Sequence, residues 1–200
     1  ECATCQTRQT VYNSCSDRHC PQCMGARRAD WIDSTEKLLH DKVTYFQCVF
    51  TLPDRLSSLV LGNRRQLYSL LFQSAWQAID QSVRSECGLK SAALMVLHTW
   101  NQRLDHHPHV HAIVPGSGPS LDGTKWNECR QTQPRVKKKS RPILVDYKRL
   151  GHLFRDAYLS GLKRLIANNQ LRIKDLSEIE KIIDELSVID WVAFIQPPPK

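Results

Sequence analysis

The spacing of apolar positions changes several times along the chain, and each change marks an element. From Ala26 to His40, Trp31, Thr35, Leu38 and Leu39 recur at helical spacing and predict a helix. Thr44 to Leu52 is dense in aromatic and β-branched residues and stops at Pro53, the pattern of a buried strand. Leu67, Leu70, Leu71, Ser74, Ala75 and Ala78 then return to helical spacing. Phe72, Trp76, Ile79 and Val83 form a second apolar line, which predicts a helix covered on more than one side. Ala92 to Gln102 predicts a strand, Leu104 to Pro108 a polar turn, and His109 to Val114 a second strand, the two forming a hairpin. Gly116 to Arg141 has the composition of a loop, and Pro142 to Val145 that of a short strand. Tyr147 to Ala167 predicts a helix on Leu150, Leu153, Phe154, Ala157, Leu162 and Leu165. Asp175 and Glu178 have capping-box spacing ahead of a helix carrying Leu176, Ile179, Ile182, Ile183 and Leu186. Trp191 to Ile195 predicts a last strand before Pro197, Pro198 and Pro199.

The first 25 or so residues fit none of these periods. They are rich in Cys, Thr, Ser and Gln and poor in Leu, Ile and Val, so they need a staple in place of a core. The expected division is a small module with a linking helix over residues 1–40 and a main domain over residues 41–200. The chain starts at Glu1-Cys2 without an initiator Met or a signal peptide, which is expected of a fragment boundary. No apolar run approaches the length of a membrane span.

Charge adds a partner class. The net charge is +8 and is unevenly placed. Residues 122–150 hold nine Lys or Arg against three Asp or Glu, whereas residues 171–190 hold three against six. A concentrated basic stretch suits a polyanion through counterion release, and also suits a solvated loop. Within it, Arg135, Lys137, Lys138, Lys139 and Arg141 are the expected contacts to the backbone of such a polyanion.

Five of the eight Cys fall in the first 23 residues, a clustering that favours metal over disulfide in a cytosolic protein. Cys2 and Cys5 form one tight pair and Cys20 and Cys23 another. Two such knuckles close a tetrahedron of thiolates around a structural Zn²⁺. Cys15 and His19 are competing ligands.

His109 and His111 flank Val110, and on a strand alternate side chains share a face. Two imidazoles hold a catalytic ion weakly, so a third ligand is expected. With the turn centred near Asp105 and His106, Gln102 lies across from His109 and Trp100 across from His111. Gln102 is then the first candidate for third ligand and His98 the second. Two imidazoles and an amide oxygen leave open positions for phosphate oxygens, which suits Mg²⁺ or Mn²⁺ acting as a Lewis acid; imidazole also accepts Zn²⁺. His106 and His107, placed in the turn, are expected to be exposed or to face DNA.

Several of these segments resemble one family. Asn13 to Cys23 resembles the zinc-binding segment of rolling-circle insertion-sequence transposases of the HUH two-tyrosine kind. Tyr45 to Pro53 resembles their first sheet motif, and Trp191 to Pro198 their late strand. His98-Thr99-Trp100-Asn101-Gln102 with His107-Pro108-His109-Val110-His111 resembles the segment that gives HUH enzymes their name. The resemblance spans nearly the whole chain. It implies an α+β fold of the HUH endonuclease type, an antiparallel sheet flanked by helices, preceded by the zinc module. It implies a transposase that cuts one DNA strand with a tyrosine hydroxyl, keeps the 5′ end as a phosphotyrosine and passes it to a 3′ hydroxyl. A metal at the His pair assists, and no nucleotide cofactor is needed. The implied partners are single-stranded and transposon-end DNA, in the bacterial cytoplasm with the nucleoid.

The family's tyrosine pair follows the late strand on a helix. Tyr12, Tyr45, Tyr68, Tyr147 and Tyr158 do not show that spacing, and none lies after Trp191. The nucleophile is therefore expected beyond Lys200, with Tyr158 the one alternative inside the chain. Rolling-circle replication initiator and catalytically silent zinc-dependent DNA-binding protein are the competing functions. A zinc hydrolase is a weaker third, for lack of a clear general base.

Overall fold

A computed structural model describes residues 4–7, 21–131 and 142–196. The chain divides into two compact units, residues 1–42 and residues 43–200. In the first, helix α1 runs over Pro21–Glu36. It begins earlier than the apolar pattern predicts and ends before Leu38 and Leu39. Pro21 suits a first helical position, because its fixed φ is helical and its missing N–H would have no partner there.

The second unit is built on a four-stranded antiparallel sheet. Its strands are β1 (Tyr45–Thr51), β2 (Leu94–Trp100), β3 (His106–Pro115) and, last in the chain, β8 (Ala193–Gln196). Their spatial order is β2-β3-β1-β8. Between β1 and β2 come a short 3-10 turn at Asp54–Leu56 and helices α2 (Ser57–Gly62) and α3 (Arg64–Cys87). Helix α3 stops at Gly88, whose φ of 65° is the left-handed turn that favours glycine at a helix end. Helices α4 (Tyr147–Ala167) and α5 (Leu176–Ser187) precede β8. The Asp146 and Asp175 carboxylates cap them, accepting from the backbone N–H of Arg149 and Glu178.

The segment expected to be a loop after Gly116 contains structure. β4 (Ser117–Pro119) pairs with β5 (Trp126–Glu128), and β6 (Arg130–Gln131) pairs with β7 (Pro142–Ile143). Strands this short carry too little periodicity to stand out from Gly- and Pro-rich sequence.

The strand period of two sorts the sheet into two faces. Phe46, Cys48, Phe50, Val110, Ala112 and Val114 point to one side and are buried. They meet α3 and α4, where Phe50 and Phe154 ring centroids lie 5.1 Å apart and Phe154 and Trp191 5.4 Å apart. Burying each such aromatic contributes roughly 1.5–3 kcal/mol. α3 and α4 approach closely at Gly161, where an added Cβ would lie 2.2 Å from Leu70 Cδ1. The opposite face carries Gln47, Val49, Thr51, Val96, His98, His109, His111, Ile113 and Phe194. Among the described residues of this unit, Val96, Ile113 and Phe194 on that face are exposed.

Candidate metal centre

The β2–β3 turn decides which groups meet. Asn101 Oδ1 accepts from the N–H of Arg103 at 2.9 Å and of Asp105 at 3.1 Å, and Asn101 Nδ2 donates to the Asp105 carboxylate at 3.1 Å. Leu104 takes a positive φ of 65° within this turn. An Asn that bonds its own backbone two residues on sets a turn locally, and this one closes before His106. His106 and His107 therefore join β3, contrary to the expectation that they sit in the turn.

The pairing moves with it. His98 lies opposite His109, Val96 opposite His111, and Trp100 opposite His106. Gln102, expected across from His109, is an exposed turn residue instead. The expected register is off because Asn101, and not Asp105, anchors the turn.

His98, His109 and His111 converge on the open face. Ring centroids are 4.5 Å apart for His98–His111, 5.1 Å for His109–His111 and 5.2 Å for His98–His109. One ring nitrogen from each lies within 4.8 Å of the other two. His98 is exposed and the other two are half-buried, so the cluster is reachable from solvent.

Outer contacts orient the rings. His109 Nδ1 donates to the His107 carbonyl oxygen at 2.7 Å, which fixes the proton there and leaves the Nε2 lone pair available. His111 Nδ1 lies 2.7 Å from the Gln47 side-chain amide, which reaches across from β1. Burial holds His111 below its ordinary pKa, and the neighbouring His98 and His109 lower it further. Three imidazoles of which at least one is kept neutral form a donor set that fits a divalent cation of borderline character.

Neighbouring histidines do other work. The Tyr68 hydroxyl lies 3.0 Å from His106 Nε2, on the helix side of the sheet. His107 Nδ1 lies 3.1 Å from the Asp54 carboxylate. Both are half-buried and engaged with the protein, not fully exposed as expected.

Tyr158, the alternative nucleophile inside the chain, is fully buried beside Phe154 and Trp191. Burial also pushes its phenol pKa above the ordinary value, so it is neither reachable by a phosphodiester nor easily ionised. Of the expected zinc ligands, Cys5 and Cys23 are described and Cys2 and Cys20 lie outside the described residues, as do Cys15 and His19. Cys5 Sγ is 3.3 Å from Thr7 Oγ1. Arg135, Lys137, Lys138, Lys139 and Arg141 also lie outside the described residues. Gln47 was not singled out from sequence. Its strand was legible, but the β1–β3 pairing that brings it to His111 spans 64 residues and has no local signal.

Among the described residues, no helix is long and apolar enough to cross a membrane. Residues 1–52 match the family described as "Transposase zinc-binding domain", and residues 92–200 match the family described as "Putative transposase". The chain is 32% identical over 207 residues to "Putative transposase y4qJ" of Sinorhizobium fredii, covering 98% of this chain and 49% of that protein. It is 31% identical over 144 residues to the transposase for insertion sequence element IS801 of Pseudomonas savastanoi pv. phaseolicola, covering 72% of this chain and 34% of that protein. The chain thus spans half or less of the length of these curated relatives. Among solved structures it is similar to the conjugative relaxase TrwC in complex with oriT DNA, in its metal-bound form. That match has a TM-score of 0.42 and 15% identity, over 61% of this chain and 44% of that one. A copper-bound form of the same complex matches with a TM-score of 0.38 and 11% identity, over 71% and 62% of the respective chains.

Proposed function

Since the chain belongs to the two-tyrosine insertion-sequence transposase family, we propose that it forms the zinc module and metal-holding core of a DNA strand-nicking and strand-transfer enzyme. The observation that carries this reading is the convergence of His98, His109 and His111 on a solvent-accessible sheet face. The substrate is single-stranded DNA at a transposon end. Bound at the three imidazoles, a divalent ion supplies Lewis-acid neutralisation of charge on the scissile phosphate's non-bridging oxygens.

The chain's own residues position that chemistry. Rigid strands fix the three imidazoles, and the His107 carbonyl holds His109 in the ligating tautomer. A tyrosine oxygen attacks phosphorus while the bond to the 3′ oxygen breaks, leaving a 5′ phosphotyrosine and a free 3′ hydroxyl. In this reading the nucleophile comes from sequence beyond Lys200, because Tyr158 is buried. An all-imidazole set shifts metal preference from Mg²⁺, which favours oxygen, toward Mn²⁺ and later first-row ions. Cys2, Cys5, Cys20 and Cys23 hold structural zinc, and the basic run from Arg135 to Arg141 contacts the DNA backbone.

The test uses the complete transposase, including the sequence after residue 200. His109→Ala and His111→Ala, singly and together, should abolish metal-dependent nicking of single-stranded DNA while the fold and zinc content persist. A double variant that nicks at the parent rate rejects the metal role of this hairpin and favours a silent DNA-binding protein.

A further inference from the structure

Gln47 occupies a position that neither the sequence pattern nor the family match assigns. It sits on the open face of β1, diagonal to His111, whose direct partner on that strand is Val49. Its amide is 2.7 Å from His111 Nδ1. Building on the three-histidine reading above, we propose that Gln47 is a positioning residue. It sets the tautomer and orientation of His111 and thereby tunes the affinity of the centre for its divalent ion.

The argument is one of proton bookkeeping on a single ring. A neutral imidazole carries its proton on one nitrogen and its lone pair on the other. In the structure, Gln47 Nε2 faces His111 Nδ1, so the amide N–H donates to the Nδ1 lone pair and the ring proton sits on Nε2. For His111 to ligate through Nε2, that nitrogen must shed its proton and Nδ1 must carry one. Nδ1–H then needs an acceptor. A half-turn of the Gln47 carboxamide presents Oε1 at the same place, so one side chain serves both tautomers. A carboxylate could serve only the ligating tautomer, and an apolar side chain neither. His109 differs, because its Nδ1 faces a backbone carbonyl, which can only accept, and so it is fixed in the ligating form. His109 is therefore preset and His111 convertible, with Gln47 as the converter. Outer partners of this kind typically change metal affinity about 10- to 100-fold when removed.

The experiment compares the parent chain with Gln47→Met and Gln47→Glu at about pH 8, where imidazoles are neutral. Mn²⁺ alone is the probe, with binding read from the electron paramagnetic resonance signal of the free ion. Gln47→Met should bind Mn²⁺ about 10- to 100-fold more weakly, whereas Gln47→Glu should match the parent within about threefold or bind more tightly. Nitrogen-15 spectra of His-labelled protein before Mn²⁺ is added supply a readout that packing alone would not move. They should place the His111 proton on Nε2 in the parent and on Nδ1 in Gln47→Glu. Equal weakening in both variants, or the same His111 tautomer in all three proteins, overturns the proposal. His109→Ala separates it from its premise: if that variant binds Mn²⁺ as tightly as the parent, the three-histidine centre itself is wrong and Gln47 falls with it.

Discussion

His98 on β2 lies directly opposite His109 on β3, their ring centroids 5.2 Å apart and nearly perpendicular at 82°. This relationship, with Gln102 exposed in the turn, ranks His98 ahead of Gln102 as the candidate third ligand. His98→Ala should therefore reduce Mn²⁺ binding and nicking by the complete transposase about as severely as His109→Ala. Gln102→Ala should stay close to the parent. Calorimetric titration with Mn²⁺ and a nicking assay decide it, and a larger loss from Gln102→Ala than from His98→Ala would reverse the assignment.

The cysteine knuckles predict one equivalent of zinc per chain by elemental analysis. Cys5→Ser or Cys20→Ser should release it and loosen the first 25 residues, because structural zinc contributes folding energy to a segment whose composition is too poor in Leu, Ile and Val to build a core. The second unit has its own buried core and should keep its unfolding transition. Zinc retained in full by the Cys20→Ser protein would disprove the ligand set.

Replacing Lys137, Lys138 and Lys139 together with Ala should weaken DNA binding for all sequences alike. The slope of log affinity against log salt should flatten by about 2.1–2.7 if all three meet phosphates, at roughly 0.7–0.9 per contact. Fluorescence anisotropy over a salt series measures the slope, and an unchanged value would leave the run a solvated loop.

Tyr158 is fully buried and its hydroxyl has no hydrogen-bond partner among the described residues. Removing an unsatisfied buried hydroxyl while keeping the ring relieves a desolvation cost. Tyr158→Phe should thus be neutral or stabilising by about 1 kcal/mol in urea unfolding, with nicking unaffected. Loss of nicking in a folded Tyr158→Phe transposase would restore this residue as a nucleophile.

His106 titrates below its ordinary range, first through burial and then through the charges of Arg64 and His107. A histidine with a depressed folded-state pKa takes up its proton more readily when unfolded. Its contribution to stability is therefore present above the unfolded pKa of about 6.5 and declines as the pH falls below it. His111 shifts in the same direction. The metal-free chain should show a lower urea midpoint at pH 5 than at pH 7.5, and His106→Gln should make the decline shallower. Identical pH profiles for parent and variant would remove His106 from this account.

The fold was largely legible where the elements are long. Tyr147–Ala167 was placed to the residue, because a Pro142–Asp146 break and a clear apolar stripe bound it. The strand at Tyr45–Thr51 was plain from its aromatic and β-branched run. What failed was pairing. A two-strand register depends on which residue anchors the turn, and the Asn101 side chain settles that through contacts invisible to hydrophobic period. His98 was consequently ranked behind Gln102. Gln47 was missed for a related reason: its partner lies on a strand far along the chain, and a lone polar residue in an apolar strand has the same pattern whether it touches a ligand or water.

The hairpin also divides the chain into parts that tolerate length changes differently. Residues added at the tip, between Gln102 and Leu104, leave every cross-strand rung in place, and doubling such a loop costs only about 0.6 kcal/mol of closure entropy. One residue inserted within His106–Pro115 is another matter. Beyond the insertion it would turn the imidazoles into the space now filled by Val110 and Ala112, both fully buried, and put those apolar groups in water. Homologues should accordingly vary in length at this tip and hold the spacing of the rungs constant, so that insertion sites in a family alignment would trace the histidine-bearing ladder without reference to which residues line it.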